Sequence, residues 1–370
     1  MSQSQDQTVL PGNAYLPQLD GLRFVAASLV FLHHCAPLPT LSWLKEFGWV
    51  GVDLFLLLSS YLLASIVRLE ILSTGKMSVG NFFVRRALRI WPLFIAFVLA
   101  MAVRAVWQTG FSLQLLGQVL THFLFINNLI VAVNGYGGVL PYCAHLWTIS
   151  LEEQFYLIVP FVVPALIALL DDKKKAAIGF VLAGIIMLIS IRFACVSVGM
   201  EHPFIWALWF RFDSIILGTA LGVGVFDSVV SRMSSVTMQV SALVLLLLAL
   251  FFPSISDGGW EQVYAYTIVD FGFLFLLASL VRKTWLTTAL SYRPLPYLGR
   301  ISYGIYVFHM LVIGAFDIDG TKPMPAVERV PTILLSLIVS IGMASLSYQF
   351  FEKPFLKLKK RFRPSVLPEG

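Results

Sequence analysis

Two adjacent histidines, His33 and His34, close an apolar run that opens beside a cation, Arg23. A neutral imidazole is the side chain best suited to take a proton from a hydroxyl at physiological pH. Arg23 and His34 lie eleven positions apart, nearly three helical turns at about 100° per residue, so a helix places both on one face. A rise of about 1.5 Å per residue sets them roughly 16 Å apart along the axis, half a bilayer's hydrocarbon thickness. His33 points about 100° away. Taken alone, this helix fits a snorkelling arginine and a satisfied core histidine equally well.

Other ionisable residues interrupt apolar stretches and sharpen the reading, because charge within a membrane span is costly and points to function. Asp53, in Gly51-Val52-Asp53-Leu54-Phe55, either caps a helix N-terminus or presents a carboxylate to a histidine on the neighbouring helix. Arg86 and Arg89 form an i,i+3 pair on one helical face, suited to gripping a phosphorylated ligand. Positive-inside topology alone explains many such pairs. Glu152 and Glu153 follow Trp147 just inside an apolar helix; at about 100° apart they take different roles, one facing a cavity and one capping the helix end. Arg211 and Asp213 are expected to pair with other intramembrane charges, and Arg104 and Arg192 to snorkel near span ends. His309 reads as a packing or cavity-lining residue, while His122 and His202 carry no supporting pattern. No spacing suits a metal or a phosphate loop. Ser59-Ser60 lacks the glycine elbow of a serine hydrolase. Cys35, Cys143 and Cys195 form neither a disulfide framework nor a metal set.

The elements that must position these groups are membrane helices. Hydrophobic residues make up 58% of the chain, mean hydropathy is +0.84 and only 12% of residues are charged, against about 25% in soluble proteins. The net charge of +6 is carried by short loops beside apolar runs, which encodes topology and not nucleic-acid binding. The apolar runs predict an all-α polytopic membrane protein of about ten transmembrane helices, at about 23–37, 49–67, 90–106, 149–170, 176–197, 204–226, 236–253, 263–281, 302–317 and 331–351. Lysine and arginine in the loops orient both termini to the cytoplasm. Parity then makes the segment 115–133 re-entrant or surface-lying, since a full crossing would put Lys173-Lys174-Lys175 outside. A polar segment 1–18 without a cleavable signal and a basic tail 352–370 flank one transmembrane domain, 1–370, with no fused extracytoplasmic domain expected.

Five stretches then occur in the order of a known family: Leu19-Asp20-Gly21-Leu22-Arg23 with His34; Gly51 to Phe55; Arg86-Ala87-Leu88-Arg89; Trp147 to Tyr156; and Ile301-Ser302-Tyr303-Gly304-Ile305-Tyr306. In these the chain resembles the acyltransferase 3 family of integral membrane O-acyltransferases over essentially its whole length. The resemblance implies ten helices, an acyl-CoA donor (acetyl-CoA by default) taken from the cytoplasm, and O-acylation of a carbohydrate or glycolipid acceptor. The family's arginine–histidine pattern falls on Arg23 and His34, its paired arginines on Arg86 and Arg89, and its glutamate on Glu152. Ser59-Ser60-Tyr61 departs from the family's usual Ser-Gly before an aromatic, which bears on packing of the second helix. Thr148-Ile149 replaces the usual Ser-Leu.

On this reading the catalytic residues are His34, Glu152, Arg23 and Asp53. His34 acts as general base or acyl carrier, partnered by Glu152 or Asp53. Arg86, Arg89 and Arg23 bind the donor, no metal takes part, and the partners are acyl-CoA, the acceptor and the lipid bilayer. The location is a bacterial inner membrane, with acceptor specificity in residues 108–148. The alternative is a multi-pass transporter or flippase of an envelope glycan precursor, against which stands the absence of an inverted repeat. A scaffold protein would not need His34 and Glu152 buried.

Overall fold

The computed structural model describes residues 15–35, 42–200, 202–252, 259–320 and 324–362. The described residues form helices α1 (Pro17–His34), α2 (Ser42–Phe47), α3 (Val50–Thr74), α4 (Val79–Thr109), α5 (Leu113–Phe123), α6 (Asn127–Asn134), α7 (Trp147–Asp172), α8 (Lys174–Ser197) and α9 (His202–Trp206). They continue as α10 (Asp213–Val223), α11 (Asp227–Val230), α12 (Ser235–Ala249), α13 (Glu261–Leu280), α14 (Trp285–Leu290), α15 (Pro294–Arg300), α16 (Ser302–Ala315), α17 (Ala326–Leu346) and α18 (Lys353–Lys359). A π-helical turn, Ser347–Glu352, joins the last two.

Helix lies within each of the ten expected spans, the one at 204–226 being broken into α9 and α10, but among the described residues six helices are long and apolar enough to cross a bilayer. They are Lys45–Thr74, Val79–Thr109, Ala144–Asp172, Lys174–Ser197, Glu261–Leu280 and Val327–Phe362, with α15 and α16, bent by 72°, as a further broken span. The reason for the shortfall is polarity and length. Apolar runs overstate helix length where Arg211 and Phe212 precede α10, leaving it eleven residues, about 16 Å and half a membrane. The 115–133 segment resolves into α5 and α6, broken at Phe125, whose φ is 53°. Neither piece, eleven and eight residues, is long enough to span.

Small residues set the closest packing, since lipid offers no hydrophobic drive between helices and close approach must supply the attraction. α10 lies against α3 along Gly218 and Gly222, four apart on one face. A Cβ at Gly218 would strike Ser60 Oγ and the Leu57 carbonyl, and one at Gly222 would strike the Tyr61 carbonyl. Ser60, where the family usually has glycine, is therefore accommodated by glycine on the facing helix, and its hydroxyl bonds the Leu57 carbonyl at 3.1 Å. The start of α1 is clasped in the same way. A Cβ at Gly21 would meet the Leu290 carbonyl, one at Gly299 the Asp20 carbonyl, and one at Gly51 the Ala26 carbonyl. These contacts fix the helix carrying Arg23 and His34 against α3, α14 and α15.

Candidate functional site

The arginine face of α4 is made by division of labour. Arg85 turns away, bonding Glu70 at 3.2 Å and the Phe362 carbonyl at 2.7 Å. Arg86 and Arg89 line one cavity together with Arg23, Glu152, Tyr156 and Tyr303. The Arg86 guanidinium lies 5.5 Å from the Tyr156 ring centroid. Of the two glutamates, Glu152 faces this cavity while Glu153 accepts a hydrogen bond from Trp91 Nε1 at 3.1 Å. Both sit in the second turn of α7, so neither caps its end.

Two further cavities adjoin the first. On one side Arg23, Arg89 and Tyr303 are shared with a polar vestibule that also exposes Asp20, Arg300 and Glu352. On the other side Val52 and Tyr306 are shared with a chamber lined by His33, His34, His145, Trp147, Trp206 and Arg211. The three form a row running from a cluster of cations to a cluster of imidazoles. His33, expected to point away from His34, lines the same chamber; its Nδ1 donates to the Lys45 carbonyl at 2.6 Å.

The tautomer of His34 follows from its partner. Its Nδ1 lies 2.9 Å from the Val30 carbonyl oxygen, which can only accept. In the neutral ring Nδ1 therefore carries the hydrogen, and Nε2 keeps the lone pair that a base needs.

Asp53, expected to face His34, is hydrogen-bonded to Arg211. Its carboxylate is fully buried and accepts from Arg211 Nε at 3.0 Å and Nη2 at 2.6 Å. The cause is the turn before α10, where Arg211, ringed by Trp49, Trp147 and Tyr266, is buried and requires a counterion. Arg192, expected to snorkel, is likewise wholly buried. It holds Asp213 in a two-pronged pair at 2.5 and 3.2 Å and donates to Val263 O, Phe210 O and Thr267 Oγ1. Sequence reasoning also missed Asp270, fully buried with neither carboxylate oxygen hydrogen-bonded. A lone acid inside the apolar run 263–281 was the signal. His145, buried and bonded to the Val307 carbonyl at 3.2 Å, was missed because it stands in a loop before α7. Tyr306 ties the region together: its hydroxyl donates to the His145 carbonyl and meets Thr148 Oγ1 at 2.6 Å. No group of three or more metal-ligating side chains occurs among the described residues.

Comparison with known proteins finds relatives over nearly the whole chain. A protein of Staphylococcus aureus (strain COL) named "Putative O-acetyltransferase SACOL0978" is 27% identical over 96% of this chain and 60% of its own length. The "O-acetyltransferase OatA" of Staphylococcus aureus (strain NCTC 8325 / PS 47) is 24% identical over 93% of this chain and 57% of its own. The chain thus spans about 60% of the length of the curated relatives it matches. No solved structure matches it. The family model described as "Acyltransferase domain" matches residues 16–348, a stretch that takes in His34, Arg86, Arg89 and Glu152 alike, and the chain belongs to that family, acyltransferase 3.

Proposed function

We propose that the protein is a membrane O-acyltransferase that moves an acyl group, acetyl by default, from cytoplasmic acyl-CoA to a hydroxyl of a carbohydrate or glycolipid acceptor. The observation that carries this reading is the row of three adjoining cavities, with arginines at one end and a histidine holding a free Nε2 lone pair near the other. Arg86, Arg89 and Arg23 hold the phosphates of coenzyme A, where guanidinium forks give charge-assisted bonds. The thioester arm extends toward Val52 and Tyr306. The acceptor enters the aromatic chamber, whose tryptophans suit the flat faces of a sugar ring.

In the transfer His34 Nε2 takes the hydroxyl proton as the oxygen attacks the thioester carbonyl. The C–O bond forms, the C–S bond breaks, and His34 returns the proton to the departing thiolate. No net proton is consumed. Glu152 sits among the three arginines, where it positions Arg23 and Arg86 and limits their mutual repulsion. Asp53 acts on the chamber wall through Arg211.

Transfer of labelled acetyl from acetyl-CoA in membranes tests the proposal. His34→Ala is expected to abolish transfer at normal expression, a loss of about 10²–10⁴-fold, while His33→Ala retains it. The double variant Arg86→Gln/Arg89→Gln is expected to raise the KM for donor. Full activity in His34→Ala, or no thioester consumption by the wild type with any glycan acceptor, sinks the reading.

A further inference from the structure

A base that takes up a proton inside a membrane protein needs a partner for the charge it acquires, and the partner here is not a carboxylate. Asp53 is committed to Arg211, and Glu152 lines the arginine cavity. Among the described residues no ion pair or hydrogen bond joins His34 to an acid. What His34 does meet is His309: Nδ1 of His34 and Nε2 of His309 lie 3.3 Å apart, the ring centroids 5.0 Å apart at 60°.

Backbone carbonyls decide the direction of that contact. His309 Nδ1 lies 2.5 Å from the Tyr306 carbonyl oxygen, so Nδ1 is the donor and Nε2 of the neutral ring carries the lone pair. His34 Nδ1 carries its hydrogen because it donates to Val30 O. One N–H is therefore shared between the Val30 carbonyl and the His309 lone pair, a three-centre arrangement. The 3.3 Å distance suits a catalytic hydrogen bond that shortens when charge develops.

Resting on the reading that His34 is the base, we propose that His309 forms a dyad with it: the His309 Nε2 lone pair accepts the His34 Nδ1 proton as His34 Nε2 removes the proton of the acceptor hydroxyl. The positive charge then resides on His309, whose Nδ1–H already faces the Tyr306 carbonyl. Collapse of the thioester reverses the relay: His309 returns its proton to His34 Nδ1, and His34 Nε2–H protonates the thiolate. Each proton that enters the pair leaves it.

The surroundings suit that task. His309 is 1% exposed, shielded from bulk solvent. The His145 ring packs 4.7 Å from it and is itself pinned through Nε2 to Val307 O, leaving His145 Nδ1 unpartnered. Three rings thus meet where two successive carbonyls of α16, those of Tyr306 and Val307, fix two of them. His309 is a positioning and proton-sharing residue: it touches the base and not the substrates.

The test compares His309→Phe, which keeps the volume and removes the lone pair, with His309→Gln, whose amide oxygen reaches the place of Nε2 and accepts but cannot take a proton. Both are assayed in the full-length protein alongside His34→Ala, with acetyl-CoA binding as the check on folding. His309→Phe is expected to lower kcat at least about 100-fold, the low end for a general base, with donor binding unchanged. His309→Gln is expected to recover about a tenth of wild-type kcat, since a charge-assisted acceptor is restored without the relay. A proton inventory in mixed H₂O and D₂O should show two protons in flight in the wild type and one in His309→Gln. Wild-type kcat in His309→Phe with His34→Ala inactive overturns the dyad and leaves the base in place. Equal losses in Phe and Gln, or losses that accompany weakened donor binding, overturn it in favour of packing. Activity in His34→Ala refutes the base instead, a distinguishable failure.

Discussion

Arg192 and Asp213 meet at 2.5 Å with neither side chain exposed, and around that pair α8, α10 and α13 are joined. Arg192 spends its guanidinium on Asp213, Thr267 and two backbone carbonyls, so its hydrogen-bonding capacity is used in full. Removing one partner leaves an uncompensated buried charge, which costs about 3–5 kcal/mol. Arg192→Ala or Asp213→Ala is expected to collapse the yield of folded protein on size-exclusion chromatography in detergent. The double change Arg192→Met/Asp213→Leu is expected to recover much of it, because it removes both charges at once.

Asp270 is predicted to behave in the opposite way. Near it lie two guanidiniums, each already taken by Asp53 or Asp213, and its own oxygens have no donor. Asp270→Asn replaces a buried acid whose oxygens have no hydrogen-bond donor and keeps the shape. The thermal midpoint should hold or rise, where Asp53→Asn lowers it by several degrees, at about 2–4 °C per kcal/mol. A fall with Asp270→Asn equal to that of Asp53→Asn would show that Asp270 has a partner of its own.

Gly299 lines none of the three adjoining cavities and yet should matter to donor use. A side chain there drives into the Asp20 carbonyl at the start of α1, three residues before Arg23. Gly299→Ala is expected to raise the donor KM by shifting Arg23 while His34, four turns of backbone away, keeps its place. An unchanged KM in a well-folded Gly299→Ala protein would separate the α1–α15 clasp from the arginine cluster.

Val52 gives a test of the passage itself. It is shared by the arginine cavity and the imidazole chamber, as is Tyr306. Val52→Trp should fill the junction and abolish transfer, while binding of coenzyme A phosphates by Arg86 and Arg89, read with nucleotide fragments such as 3′-phospho-ADP, persists. Val52→Ala should admit longer acyl chains, read as the ratio of butyryl to acetyl transfer. Transfer at wild-type rate through Val52→Trp would mean that acyl groups take another route.

Much of this arrangement is legible in the sequence wherever helical periodicity governs it. Arg86 and Arg89 share a face because they are three apart, and Glu152 and Glu153 diverge because they are adjacent. Contacts between helices distant in sequence are another matter. Nothing local to Asp53 reveals that its counterion lies at residue 211, and Arg192 reads as a snorkelling residue until α13 and α10 close over it. His309 could be assigned to a cavity wall but not to a particular neighbour, because the His34 contact joins residues 275 positions apart. The family resemblance named His34; it took tertiary structure to find what stands behind it.

Seen from the membrane's side, the junction at Val52 and Tyr306 carries a duty separate from catalysis. A polar row joining two faces of a bilayer is an invitation for ions and protons to leak. Here a valine and a tyrosine line both cavities where they meet, and the tyrosine's hydroxyl is engaged by Thr148 and the His145 carbonyl. On the proposed reading, an uncharged thioester arm would pass where a hydrated ion is turned back. On that reading the same two side chains would let substrates be handled from opposite sides while the membrane stays electrically tight.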